Sequence, residues 1–153
     1  MLAERSIDPK TARAMYDECA DLARAVGNDW FLALARGNSA SAAVETGDFE
    51  TAVRRGTEAV QLLRTIGDQQ SESAYAPTLA AAELGLGQRE AGIARIAAFL
   101  EKEPGRDLPE PTLWCLETMA MVLLGEAPDS SARILGATGE IADEYGSGRR
   151  PGS

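Results

Sequence analysis

The chain contains no histidine, so the commonest general base and metal ligand is missing from its 153 residues. Aromatic residues make up only 5%, and any core has to be assembled mainly from Ala, Leu, Ile and Val. The β-branched and aromatic runs typical of strands are also missing, which favours closely packed helices over a sheet. The two cysteines, Cys19 and Cys115, are too far apart in sequence to suggest a disulfide framework. Each lies among apolar neighbours, and both are expected to be buried, reduced thiols. No apolar run approaches the ~18 residues of a membrane span, and the opening MLAERSIDPK lacks the apolar stretch of a signal peptide. The expectation is a cytoplasmic protein with no membrane partner. Basic residues are outnumbered, 15 Lys and Arg against 24 Asp and Glu, for a net charge of −9. Such a surface repels phosphate, no Lys/Arg stripe offsets it, and direct nucleic-acid binding is not expected.

What the chain does have is helical patterning. In 49–66, FETAVRRGTEAVQLLRTI, the residues Phe49, Ala52, Val53, Gly56, Ala59, Val60, Leu63 and Ile66 form one continuous helical face. Glu50, Arg54, Arg55, Glu58 and Arg64 fall on the others. Gly47 suits a left-handed helix end, and Asp48 can cap the next helix by accepting from its free N–H groups. Gly-Asp therefore reads as stop, turn, start.

Shifting by forty residues superposes this face on two others. Ala52 falls on Ala12 and Gly92, Gly56 on Tyr16 and Ile96, Ala59 on Cys19 and Phe99, and Val60 on Ala20 and Leu100. The turns follow: Gly27-Asn28 maps to Gly67-Asp68, and Gly47-Asp48 maps to Gly87-Gln88. Three copies of one face at one spacing define a repeat. Further helices are expected at 30–46, 70–86, 112–125 and 129–145, with Pro77 kinking the second or delaying its start. EPGRDLPEP marks a longer loop.

The predicted fold class is all-α: about seven helices, a lone leading helix of 9–26 followed by three antiparallel pairs stacked in a short right-handed α-α superhelix. A single domain spans 1–146, with units at 9–28, 29–68, 69–108 and 109–146, and 147–153 is expected to be a disordered tail.

The small residues keep fixed distances from the turn: Ala40 seven before Gly47, then Ala52 and Ala59 five and twelve after it. With GDFETA and AVQLLRTIGD, that spacing resembles the tetratricopeptide repeat (TPR), in which small residues let two helices cross closely. The forty-residue period resembles the longer variety found in bacterial signalling ATPases. SSARILGATGEIADEYG, at 130–146, is similar to the last segment of large bacterial regulators of the LuxR or AfsR type. In that family an ATPase module precedes the repeats, which serve as a sensor or partner-binding arm. This sequence departs from the pattern at Phe99, where a small residue is expected and the pair should splay. It also has Thr118 in the place of Ala40 and Ala80, and two extra residues after Gly125. There is no GxxxxGK[ST] phosphate loop and no DNA-reading helix-turn-helix.

Catalysis is hard to place, and the chain is read as a non-enzyme without a cofactor or metal site. The carboxylates are expected mostly on outer faces and in turns. Cys115, in TLWCLETMAM, has no basic neighbour to lower its pKa. A binding surface fits better. The resemblance implies that the first helix of each pair lines the concave side, which places Trp30, Gly37, Ser41 and Glu45 in one arc, with Pro77, Ala81 and Leu84 at comparable places. The small residues would leave a groove there for a protein or peptide partner, with Trp30 as its aromatic anchor. The alternative is that Trp30 and Trp114 cap the inter-helix core, and Tyr75 is open to the same two readings. Met15, Leu22 and Val26 of the leading helix are expected at an open edge, which either another copy, making a homo-oligomer, or a missing upstream repeat would cover. A homodimeric scaffold without a regulatory ligand and a small-molecule binder with an acidic groove are the competing functions.

Overall fold

The computed structural model describes residues 7–102 together with 116, 117, 119, 120 and 136. The local code is read directly from its turns. Asp8, Asn28, Asp48 and Asp68 stand twenty residues apart. Each offers a side-chain oxygen to the backbone N–H three residues on, at Thr11, Phe31, Thr51 and Ser71, over 3.0–3.3 Å. Just before three of these caps, and before Gln88, lie Gly27, Gly47, Gly67 and Gly87, with φ between 70° and 85°. A side chain would be strained there, and glycine is not. The same bond closes each of the four turns: the N–H of Asn28, Asp48, Asp68 and Gln88 reaches back to the carbonyl of Ala23, Ala43, Leu63 and Glu83 at 2.8–3.0 Å.

Over the described stretch 7–102 there are six helices: α1 Pro9–Ala25, α2 Asp29–Glu45, α3 Phe49–Ile66, α4 Gln69–Ala74, α5 Ala76–Gly85 and α6 Arg89–Lys102. Among the described residues there is no strand. The helix α3 matches its expected span, and α1 and α2 lie within one residue of theirs. The expected 70–86 helix is divided at Tyr75, two residues before Pro77. Proline has no N–H for the Ser73 carbonyl and its ring crowds that oxygen, so the helix breaks and restarts. Leu116, Glu117, Met119, Ala120 and Gly136 are helical. Apart from these, the expected 112–125 and 129–145 helices lie outside the described residues, as do Trp114, Cys115 and Gly139.

Helix α2 packs against both α1 and α3 and touches α5, while α5 packs against α3 and α6. The core is built of small residues. Ala20, Ala33, Ala40, Ala43, Ala52, Ala59, Ala80 and Ala82 have no exposed surface, and among larger side chains Leu63 and Leu79 are buried completely or nearly so. Small side chains bring backbones together: a Cβ at Gly92 would stand 3.0 Å from the Ala80 carbonyl oxygen across the α5–α6 crossing.

Three expectations need correction. Cys19 is exposed, not buried. Its forty-residue counterpart Ala59 is covered by a neighbouring helix, and no described helix covers that side of α1. Phe99 does not hold its pair apart at Gly92, and its ring is buried in one cluster with Leu116 and Met119. Several charged groups placed on outer faces instead lie between helices. Glu83 is 6% exposed and accepts both Nε and Nη2 of Arg95 at 3.0 and 2.7 Å. The side chains of Arg36 and Arg55 are only 13% and 16% exposed, as the next section describes. No described helix is long and apolar enough to cross a membrane.

Candidate docking surface

Of the nine large hydrophobic side chains that are exposed among the described residues, six fall between residues 7 and 31: Ile7, Met15, Leu22, Val26, Trp30 and Phe31. The open edge expected at Met15, Leu22 and Val26 is present. Between α1 and α2 it forms a groove of about 600 Å³. Its α1 side carries Tyr16, Cys19, Leu22, Ala23 and Val26, and its α2 side carries Phe31, Leu34, Ala35 and Asn38. An apolar strip on one edge is the usual mark of an interaction surface.

The forty-residue register explains the groove. Tyr16, Cys19, Leu22, Ala23 and Val26 correspond to Gly56, Ala59, Leu62, Leu63 and Ile66 of α3, while Ala35 and Asn38 correspond to Tyr75 and Thr78. The second set receives α2. Ala33 and Leu34 pack with Leu63, Tyr75 and Leu62 in one cluster. The Ala40 methyl lies 3.6 Å from where a Gly56 Cβ would be, the Tyr75 ring covers Gly37, and the Ser41 and Thr78 hydroxyls are 3.0 Å apart. The α1–α2 groove is thus the same seat one repeat earlier, open instead of filled.

With only one side of α1 covered, polar contacts do much of its fastening. Arg13 reaches the α3 cap Asp48 at 2.8 Å, and Arg24 reaches Glu58 at 3.0 Å. Asp17 takes Arg55 at 2.8 Å and the buried Ser39 hydroxyl at 2.9 Å, and Arg55 also donates to that hydroxyl. Arg36 lies 3.5 Å from Asp17 and, through Nε, 3.1 Å from Glu58, without hydrogen-bond alignment on the Nε side. This cluster interleaves opposite charges from α1, α2 and α3. It fixes the groove's two walls relative to each other, since removing one member would leave a partly buried charge unpaired.

The residues expected to line a concave groove are divided. Gly37 is buried and the space above it holds the Tyr75 ring, whose hydroxyl donates to the Leu34 carbonyl and to Asn38 Oδ1 at 3.2 Å each. Burial pushes the Tyr75 phenol up to about 12, helped by the nearby Tyr16. Ser41 is half-buried on Thr78, while Pro77, Ala81 and Leu84 are buried. The small residues expected to leave a groove therefore serve helix packing. Trp30 and Glu45 remain exposed. The Trp30 indole stacks edge-on against Phe31 with centroids 5.1 Å apart and donates to Asp68 at 2.9 Å, so it stands outside the core that it was the alternative for it to cap. Partial burial raises the Glu45 carboxyl pKa.

Reading the sequence placed Leu22 and Val26 at the edge but passed over Tyr16, Cys19, Phe31 and Asn38. The signal was available in the pairing of Cys19 with Ala59: a thiol and a phenol stand where the interior copy has alanine and glycine. Among the described residues no group of three His, Cys, Asp or Glu could hold a metal ion. Neither a family model, a curated protein nor a solved structure matches the chain, so the groove's geometry carries the functional argument.

Proposed function

We propose that this chain is a TPR-like helical repeat module that binds a protein partner, as the sensor or assembly arm of a bacterial transcriptional regulator, rather than an enzyme. The observation that carries the reading is the open apolar groove between α1 and α2, with Leu22 and Phe31 63% and 56% exposed at its walls. Exposed apolar side chains at this density favour association, and their removal from water would supply about 25 cal/mol per Å² buried. The cap-and-glycine punctuation every twenty residues and the alanine-filled crossings support the TPR-like assignment. The likeness of 130–146 to the ends of LuxR- and AfsR-type regulators supports the regulatory role.

The test is a photo-crosslinking amino acid placed at Leu22 and, for comparison, at Arg54 on the outer side of α3, in cells expressing the full-length gene. A discrete crosslinked protein is expected from position 22 and not from 54. That protein, purified, should bind the chain and lose binding to Leu22→Glu. Crosslinks at neither position, or equal crosslinks at both, would overturn the reading.

A further inference from the structure

The arginine–carboxylate cluster that fastens α1 has a counterpart forty residues on, and there the space is open. Arg24 and Arg55 recur as Arg64 and Arg95, but Arg36 and Glu58 give way to Ala76 and Ala98. In place of those two long side chains lies a cavity of about 840 Å³, walled by residues of α3, α4, α5 and α6, among them Arg64, Glu72, Ala76, Arg95, Ala98 and Lys102. We infer that this cavity binds a small organic carboxylate with a flat apolar body. The site is separate from the α1–α2 groove and does not depend on its docking role.

Charge points to the class of ligand. The chain carries a net charge of −9, yet this lining sets three cations, Arg64, Arg95 and Lys102, against one carboxylate, Glu72. Glu72 accepts from Nε and Nη2 of Arg64 at 3.0 and 2.6 Å, and Glu83 takes the same two atoms of Arg95 at 3.0 and 2.7 Å. Each guanidinium thus keeps the donors of its Nη1. Lys102 has no ion pair among the described residues. With Glu83 counted, the set holds one positive charge in excess, which a monocarboxylate cancels.

The filled copy shows that this frame accommodates such a group. There Glu58 sits 3.0 Å from Arg24 and 3.1 Å from Arg36, whereas Ala98, at the matching place, supplies no carboxylate. Ala91, Ala94, Ala98 and Phe99 give the cavity an apolar wall of low relief, suited to a ring. Its volume falls within the range of about 300–1,000 Å³ usual for small-molecule sites.

The probe is 2-naphthoate, titrated into the full chain by calorimetry with neutral 2-naphthamide as the comparison. One-to-one binding of the naphthoate is expected, with the amide at least ~10-fold weaker. Ala98→Glu, at an exposed position, restores the carboxylate of the first copy and should weaken the naphthoate at least ~10-fold. Lys102→Gln should weaken it about 3-fold, and Leu22→Glu, in the other groove, should leave it unchanged. The proposal falls if the naphthoate does not bind or if the amide binds equally well. It also falls if Leu22→Glu removes binding, or if Ala98→Glu and Lys102→Gln both leave it intact. Should Ala98→Glu alter the melting curve, Lys102→Gln decides alone.

Discussion

The seat on α3 and α5 and the seat on α1 and α2 follow one pattern forty residues apart, yet they end in opposite environments. In the first, Ala59 and Leu63 have no exposed surface, and Leu63 packs with Ala33 of α2. In the second, Cys19, which matches Ala59, faces solvent, as does Leu22, which matches the half-buried Leu62, while Ala23, which matches Leu63, stays buried. The difference is in the neighbour and not in the local pattern. A helix face is buried only when another helix arrives to cover it, so the α1 face, which no described helix covers, keeps an apolar character while standing in water. It also shows how such an edge remains ordered: three ion pairs, Arg13–Asp48, Arg24–Glu58 and Asp17–Arg55, tie α1 to α3 where apolar burial is one-sided.

The strongest way to break the comparison is to place the same charge at both seats. Ala59→Glu puts an unpaired carboxylate into a closed crossing and should cost more than about 3 kcal/mol or prevent folding. Cys19→Glu, at the matching place, should stay within about 0.5 kcal/mol in urea denaturation. Equal losses would mean that the α1 face is covered. Next in size, Leu63→Ala should cost about 2–5 kcal/mol, whereas Leu22→Ala should barely move the unfolding midpoint. Gly37→Ala sharpens the account of the filled seat, because the new methyl meets the Tyr75 ring. A loss of about 1–3 kcal/mol is expected, and a neutral result would show that Tyr75 turns aside freely.

The smallest effect is set by the helix caps. Hydrogen bonds from Thr11 hold Asp8 below the ordinary carboxylate value of 3.8. At Asp48, burial pushes upward but is outweighed by bonds from Thr51 and Arg13, and at Asp68 bonds from Ser71 and Trp30 act downward. With folded pKa values below the unfolded one, acid protonates the unfolded chain first. The contribution is therefore complete above pH ~4–5 and is lost as the pH falls through 3.8 and below. Stability measured from pH 6 to 3 should fall, and Asp68→Asn, which keeps a capping oxygen, should flatten part of that slope. Trp30 fluorescence should change over the same interval as its indole loses the carboxylate, whereas an acid-insensitive signal would remove the Trp30–Asp68 bond from solution.

Several features could be read without coordinates because they depend on near neighbours in the chain. Glycine tolerates positive φ, Asp and Asn accept from the third N–H beyond them, and Pro77 cannot continue a helix. These properties set the helix starts and the break at Tyr75. The alanine stripe of α3 was legible for the same reason, since a 3.6-residue period is local.

Tertiary structure alone decided which faces are covered and where long side chains go. Arg55 and Glu83 read as surface charges, yet each finds an opposite charge or hydroxyl on another helix and is drawn inward. Gly37 read as part of a groove, and Tyr75, thirty-eight residues away, fills it. Cys19 read as core, and lacks the helix that would make it so. Burial is a property of contacts between distant segments, and a one-dimensional pattern states only what a face would accept, not what arrives to cover it.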